Sequence, residues 1–172
     1  MNAASASPPT DIAASRLSAV RERIRQACLA AGRSPASVSL LAVSKTWEAE
    51  RVLELAALGQ HAFGENYLQE SLTKIAACEA AGGPAIEWHF IGPIQSNKTR
   101  PIAEHFHWVH SIEREKIAAR LSEQRPAGST ALQVCVQVNV SGEASKSGCE
   151  PSQALSLALA VAGMPGLQLR GL

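Results

Sequence analysis

No stretch of this sequence approaches the roughly 18 consecutive apolar residues that a membrane-crossing helix requires, so no membrane partner is expected. An excess of one charge is missing as well. Lys plus Arg is 16, Asp plus Glu is 15, and the net charge is +1. A nucleic-acid partner held by a strong phosphate-attracting field is therefore not expected. The four cysteines, Cys28, Cys78, Cys135 and Cys149, form no CxxC pair. They read as reduced thiols of a cytoplasmic protein, not as a disulfide framework or a zinc cluster. There is no signal-peptide apolar core, no low-complexity linker, and no fixed repeat beyond an alternation of strands and helices. GxGxxG, GxSxG, HExxH and the phosphate-binding GxxxxGK[ST] are all absent.

What is present is an ordinary globular composition, with 46% hydrophobic and 18% charged residues over 172 positions. That length suits one domain. Residues 1–11 are small and polar, with Pro8 and Pro9, and are expected to form a disordered tail before a single domain over residues 12–172. Residues 1–33 carry five Arg and two acids, a composition shared with transit peptides. The same region places Leu17, Val20, Ile24, Cys28 and Ala31 at spacings of three and four, the stripe of a folded amphipathic helix.

Beyond it, strand and helix signals alternate. Strands are expected at Ser39–Ser44, Ala62–Asn66, Glu87–Gly92, His107–Ser111, Leu132–Val140 and Leu167–Leu172. A helix starting at Thr46 carries Val52, Leu55 and Leu58 and stops at Gly59; another carries Leu68, Leu72 and Ile75 and stops at Gly82. A short polar helix near Ser96 is disturbed by Pro101. Ser111 is the expected N-cap of a helix with Ile112, Ile117 and Leu121. Pro151 opens the last helix, with Leu155, Leu159 and Ala162 on its stripe.

This alternation implies a parallel sheet, either doubly wound or closed into a barrel. In the fifth strand Val134, Val136, Val138 and Val140 share one face, while Gln133, Cys135, Gln137 and Asn139 share the other. In a barrel the valines pack under helices and the polar set lines the interior; an exposed edge strand gives the same pattern.

Ligand sites of parallel α/β folds lie at the carboxyl ends of the strands. Lys45 follows the first strand there, where partial desolvation would lower its pKa and free a neutral amine for attack on an aldehyde. A lysine simply leaving the sheet for water gives the same sequence. Asn66 and His89 end the second and third strands, and Asn139 ends the fifth with an inward side chain. Asn66 supplies a donor and an acceptor, and His89 titrates near neutral pH or sits as a satisfied core histidine beside Trp88. The loop Ser141–Gly148 can clasp an anion or be an ordinary mobile loop, and Gln95-Ser96-Asn97-Lys98 reads as an anion site or a surface cap. His105, His107 and His110 lack accompanying carboxylate or cysteine at ligand spacing, so no metal is expected.

Several strings together resemble one family. They are Leu41-Ala42-Val43-Ser44-Lys45-Thr46, Phe63-Gly64-Glu65-Asn66-Tyr67-Leu68-Gln69-Glu70, Trp88-His89-Phe90-Ile91-Gly92-Pro93-Ile94-Gln95-Ser96-Asn97-Lys98, Ser145-Lys146-Ser147-Gly148 and Leu169-Arg170-Gly171-Leu172. In this order, from about Leu17 to Leu172, they resemble the YggS/PROSC family of pyridoxal phosphate homeostasis proteins. The resemblance implies a (β/α)8 TIM-type barrel related to the N-terminal domain of alanine racemase. It implies that Lys45 carries pyridoxal 5′-phosphate as a Schiff base and that Asn66 lies near the cofactor ring. The candidate cofactor-binding residues are thus Lys45, Asn66, His89 and Asn139, with roles implied by the family only for the first two. The family is regarded as binding and distributing the cofactor in the cytoplasm, with PLP-dependent apo-enzymes as recipients and no established turnover.

A complete barrel of this type takes roughly 250 residues, and only six strands are counted here. The family's later Ser-x-Gly-Met-Ser and Arg-x-Gly-Thr strings, which grip the phosphate and ring nitrogen, are absent, so the chain is expected to be C-terminally truncated. The competing functions are a racemase-like PLP enzyme with Tyr67, the single tyrosine, as the opposing acid/base group, a cofactor-free Schiff-base aldolase, and a fragment without binding competence.

Overall fold

The computed structural model describes the backbone of residues 9–172 and the side chains from Ile12 onward. Of the tail expected over residues 1–11, residues 1–8 lie outside the described residues, and Pro9 already opens helix α1 (Pro9–Ala30). The stripe expected on this helix is only partly covered: Leu17 and Cys28 are buried, but Val20 is 40% exposed. Arg21 ties α1 down. Its guanidinium donates to the carbonyls of Leu58 and Gly59 at 3.1 and 2.7 Å, satisfying acceptors left free at the end of the next helix.

Six strands follow: β1 (Ala42–Val43), β2 (Ala62–Glu65), β3 (Glu87–Phe90), β4 (Trp108–Ile112), β5 (Leu132–Val136) and β6 (Leu167–Gly171). Between them run α2 (Ala49–Ala57), α3 (Leu68–Ala80), α4 (Thr99–His105), α5 (Glu115–Gln124) and α6 (Ala154–Ala162). All strand pairs are parallel and the spatial order is simply β1 to β6. A doubly wound sheet reverses its order at a switch point and carries helices on both faces. Here each helix touches the next, from α1 through α6, so one continuous helical layer wraps one face of the sheet. This is an arc of a (β/α)8-type barrel, with β1 and β6 as its edges among the described residues. No helix among them is long and apolar enough to cross a membrane.

The core lies between sheet and helices. Phe63, Trp88, Phe90, Val109, Leu132, Val134 and Val136 fill the outer face of the strands and are all buried. The inner face alternates with them, as period-two geometry demands. Its His89, Trp108 and His110 rings stack on one another, with the Arg170 guanidinium 5.8 Å from the Trp108 centroid.

Four sequence expectations need correction. The fifth strand stops at Val136 rather than Val140: the register slips between Val134 and Cys135, Val138 keeps only an isolated bridge to Cys149, and Val140 is 83% exposed. Ser111 caps no helix. It lies within β4, its hydroxyl donates to the Gly92 carbonyl at 2.6 Å, and α5 is preceded by Arg114. On α6 the buried stripe is Ala154, Leu157 and Val161, while Leu155 and Leu159 face outward at 72% and 67% exposure. That helix is apolar all round, so its periodicity could not choose a face. Finally, Pro101 does not disturb α4, because it falls in the first turn, where no helical partner for its nitrogen is required.

Candidate functional site

The open end of the inner face is built from the residues that follow β1, β2 and β3. Register fixes their levels. Val43 pairs with Gly64 and Gly64 with His89. Lys45 and Asn66, each two residues further on, therefore share one level at the carboxyl end. Ser44 and Glu65 turn outward, where the Ser44 hydroxyl donates to Glu65 Oε1 at 2.6 Å. Alternation then turns Lys45 and Asn66 inward together.

Asn66 is half-buried, and its Oδ1 is buried without a hydrogen-bond partner. An orphaned buried acceptor is costly and calls for a partner. It sits hard against Gly92, where a Cβ would lie 2.8 Å from Asn66 Cα. Lys45 is exposed and makes no hydrogen bond among the described residues. In place of the expected desolvation, Lys45 is exposed beyond a strand that has β2 alone beside it among the described residues.

Instead, the structure controls Lys45 through its neighbours. The expected helix start at Thr46 is a left-handed residue with φ of 67°, and α2 begins only at Ala49. A β-branched residue rarely adopts that conformation, which costs about 1–3 kcal/mol unless its surroundings hold it. The Thr46 amide donates to Glu70 Oε1 at 2.6 Å, and the Trp47 amide closes a turn onto the Ser44 carbonyl. Lys74 stands behind both. Its ammonium donates to the Ser44 carbonyl at 2.7 Å, to Glu65 Oε1 at 2.6 Å and to Glu70 Oε1 at 3.1 Å. The side chains of Lys74 and Glu65 are 3% and 0% exposed. Burial pushes the Glu70 carboxyl up, but the bonds from Lys74 and the Thr46 amide outweigh it and hold it below its ordinary value. Sequence reading missed this network. Its one signal is Lys74 itself, which occupies the buried stripe of α3 with Ser71, Ile75 and Cys78.

His89 is not at the strand end. It lies two residues below the level of Asn66, about 7 Å deeper along the strand, and is 7% exposed. Both ring nitrogens are engaged, Nε2 with Glu87 Oε1 at 2.8 Å and Nδ1 with His110 Nε2 at 2.9 Å. With both rings neutral, His110 donates to His89 and His89 donates to the Glu87 carboxylate. Burial pushes His89 down against the pull of Glu87, and burial together with neighbouring His89 pushes His110 down. The ordinary value is 6.5, so the unfolded chain takes up these protons first. The stability they contribute is complete above the unfolded value and is lost as pH falls through it toward the folded values. The urea midpoint is thus expected to drop between about pH 7.5 and about pH 5.5, and to drop less in His110→Phe. Equal midpoints at both pH values would show that neither ring is held neutral.

Asn139 is also corrected. Its Nδ2 donates to the carbonyls of Glu143 and Lys146, and its Oδ1 accepts from the Ser141 hydroxyl and the Gly142 amide. The amide is spent on fastening its own loop and offers nothing inward. The three histidines of the 105–110 segment separate: His110 joins His89, while His107 Nδ1 accepts the Trp88 amide.

The family model for the alanine racemase N-terminal domain matches residues 15–172. The pyridoxal phosphate homeostasis protein of Pseudomonas aeruginosa is 64% identical over 159 residues, covering 92% of this chain and 68% of the relative. The protein of the same name from Vibrio cholerae is 58% identical, covering 88% and 63%. The chain thus spans about two thirds of the length of the curated relatives it matches. Among solved structures, PipY of Synechococcus elongatus with PLP bound superposes with a TM-score of 0.75 at 33% identity, covering 92% of this chain and 68% of that one. Alanine racemase of Corynebacterium glutamicum, at 20% identity and a TM-score of 0.55, covers 89% and 42% and shares the fold.

Proposed function

The chain belongs to the pyridoxal phosphate homeostasis family, built on the alanine racemase N-terminal domain, and on that premise we propose that it binds pyridoxal 5′-phosphate through Lys45. The carrying observation is the shared level of Lys45, whose side chain is exposed, and Asn66, whose buried amide oxygen is orphaned. The cofactor supplies an aldehyde. Lys45 Nζ would hold it by condensing with that aldehyde, the two hydrogens of the neutral amine leaving with the carbonyl oxygen as water. Asn66 orients the ring from the neighbouring strand, and the His89–Trp108–His110 stack forms the floor beneath. Asn139 acts at a remove, by holding the Ser141–Gly148 loop in one shape.

The role that fits is storage and delivery of the cofactor to PLP-dependent apo-enzymes, without turnover of a substrate. The relatives' name supports it. Tyr67, the acid/base group that a racemase-like reading needs, is 53% exposed at the start of α3. All four cysteines are free thiols, which suits a reducing compartment such as the cytoplasm.

Borohydride reduction after mixing with pyridoxal phosphate tests the assignment. Of the five lysines, Lys45 is expected to take the label, with Lys45→Ala losing it. Label spread evenly over the exposed Lys98, Lys116 and Lys146 would overturn the proposal.

A further inference from the structure

We propose that Glu70, backed by Lys74 and Glu65, is the positioning device for Lys45: it locks the Ser44 and Thr46 backbone so that the amine between them is presented to the inner face. The inference rests on the assignment of Lys45 as the cofactor lysine and adds residues to it. Among the described residues, Lys45 itself makes no hydrogen bond or ion pair that could orient it. A long exposed side chain has many rotamers, so the protein can direct it only by fixing the backbone from which it springs.

Both flanking residues are fixed, and by the same group of side chains. On one side, Ser44 is held at three points: its amide donates to the Gly64 carbonyl at 3.0 Å, its hydroxyl to Glu65, and its carbonyl accepts Lys74. On the other, Thr46 is held in a left-handed conformation by the bond from its amide to Glu70 and by the turn that the Trp47 amide closes onto the Ser44 carbonyl. Glu70 lies in the first turn of α3 and accepts from Lys74 with the same oxygen, so the strained residue and the buried ammonium are joined through a single atom. A carboxylate shared in this way acts as a latch. It couples the docking of α3 to the direction in which Lys45 leaves the sheet.

The experiment uses the full chain with Glu70→Ala and Glu70→Gln. The Glu70 side chain is 36% exposed, so both variants are expected to fold. Two readouts are taken: hydrogen exchange of the Thr46 amide without cofactor, and pyridoxal phosphate affinity together with the share of borohydride label on Lys45. Glu70→Ala is expected to speed exchange and weaken affinity by about ten-fold each, as for loss of a charged hydrogen bond. Its label spreads from Lys45 to the surface lysines. Glu70→Gln keeps an acceptor for the Thr46 amide and is expected to rescue most of both effects. Faster exchange in Glu70→Ala with affinity and label distribution unmoved would overturn the inference, since the latch would then be structural only. Unchanged exchange would overturn it at the first step. If wild-type label does not settle on Lys45, the cofactor assignment itself falls; the exchange readout, which uses no cofactor, tells the two failures apart.

Discussion

A Lys74→Met variant is expected to lose about 3–5 kcal/mol of folding stability, read as a lower urea midpoint at unchanged slope. Methionine fills nearly the same volume, so packing changes little. What is lost is the only cation paired with Glu65 among the described residues, and Glu65 is a carboxylate with no exposed surface. Glu65 Oε1 would keep the Ser44 hydroxyl alone, and its Oε2 is already without a partner. The reverse change is expected to cost less. In Glu65→Leu the Lys74 ammonium still has Glu70 at 3.1 Å and the Ser44 carbonyl at 2.7 Å. The double replacement is expected to recover part of the Lys74→Met loss, because removing both buried charges avoids the stranded ion. The recovery is incomplete, since the Ser44 hydroxyl would then lack its partner and the Ser44 carbonyl would keep the Trp47 amide alone. A loss below about 1 kcal/mol in Lys74→Met would show that Glu65 does not depend on this lysine for its charge.

The same pair shows what could and could not be read from the residues. The barrel arc was legible because its signals are local: short strand-like runs such as Ala62-Phe63-Gly64 and the alternating Leu132 to Val136, each followed by a helical stripe. The places of Lys45 and Asn66 just past the ends of β1 and β2 were legible for the same reason, and strand ends are where such folds place their chemistry. The brace behind them was not. Glu65 and Lys74 are nine residues apart, on a strand and on a helix, and only tertiary packing brings them within 2.6 Å. Thr46 misled for a related reason. It has the side chain of a helix cap, yet its own amide is captured by Glu70 from 24 residues away, which bends the chain left-handed before α2 can begin. His89 was misplaced by two residues because the register pairs Glu65 with Phe90, which sets Ile91 and not His89 at the level of Asn66. The inward amide expected at Asn139 failed because the register slips before β5 reaches it.

Gly92→Ala is expected to be the other severe substitution, costing about 3 kcal/mol, the upper part of the range for overpacking. Gly92 is buried, and its backbone carbonyl accepts the Ser111 hydroxyl at 2.6 Å, which pins the end of β3 to β4. An added Cβ would lie 2.8 Å from both Cα and Cβ of Asn66, and closer still to the Asn66 carbonyl oxygen. These are largely backbone atoms, so no rotamer change relieves the contact. Either β2 moves with Asn66 or β3 moves and releases Ser111. The first movement displaces the amide proposed to meet the cofactor, so pyridoxal phosphate affinity is expected to fall with stability. Gly64→Ala is the matched control deeper in the sheet, at the level of His89. Its Cβ would meet first the Ile91 Cδ1 at 3.3 Å, the flexible end of a side chain, and its cost is expected to stay within about 1 kcal/mol. Equal losses in the two variants would show that glycine is needed along the inner face for general reasons. A loss confined to Gly92→Ala would show that it is the close approach of the second and third strand ends that holds Asn66 at the level of Lys45.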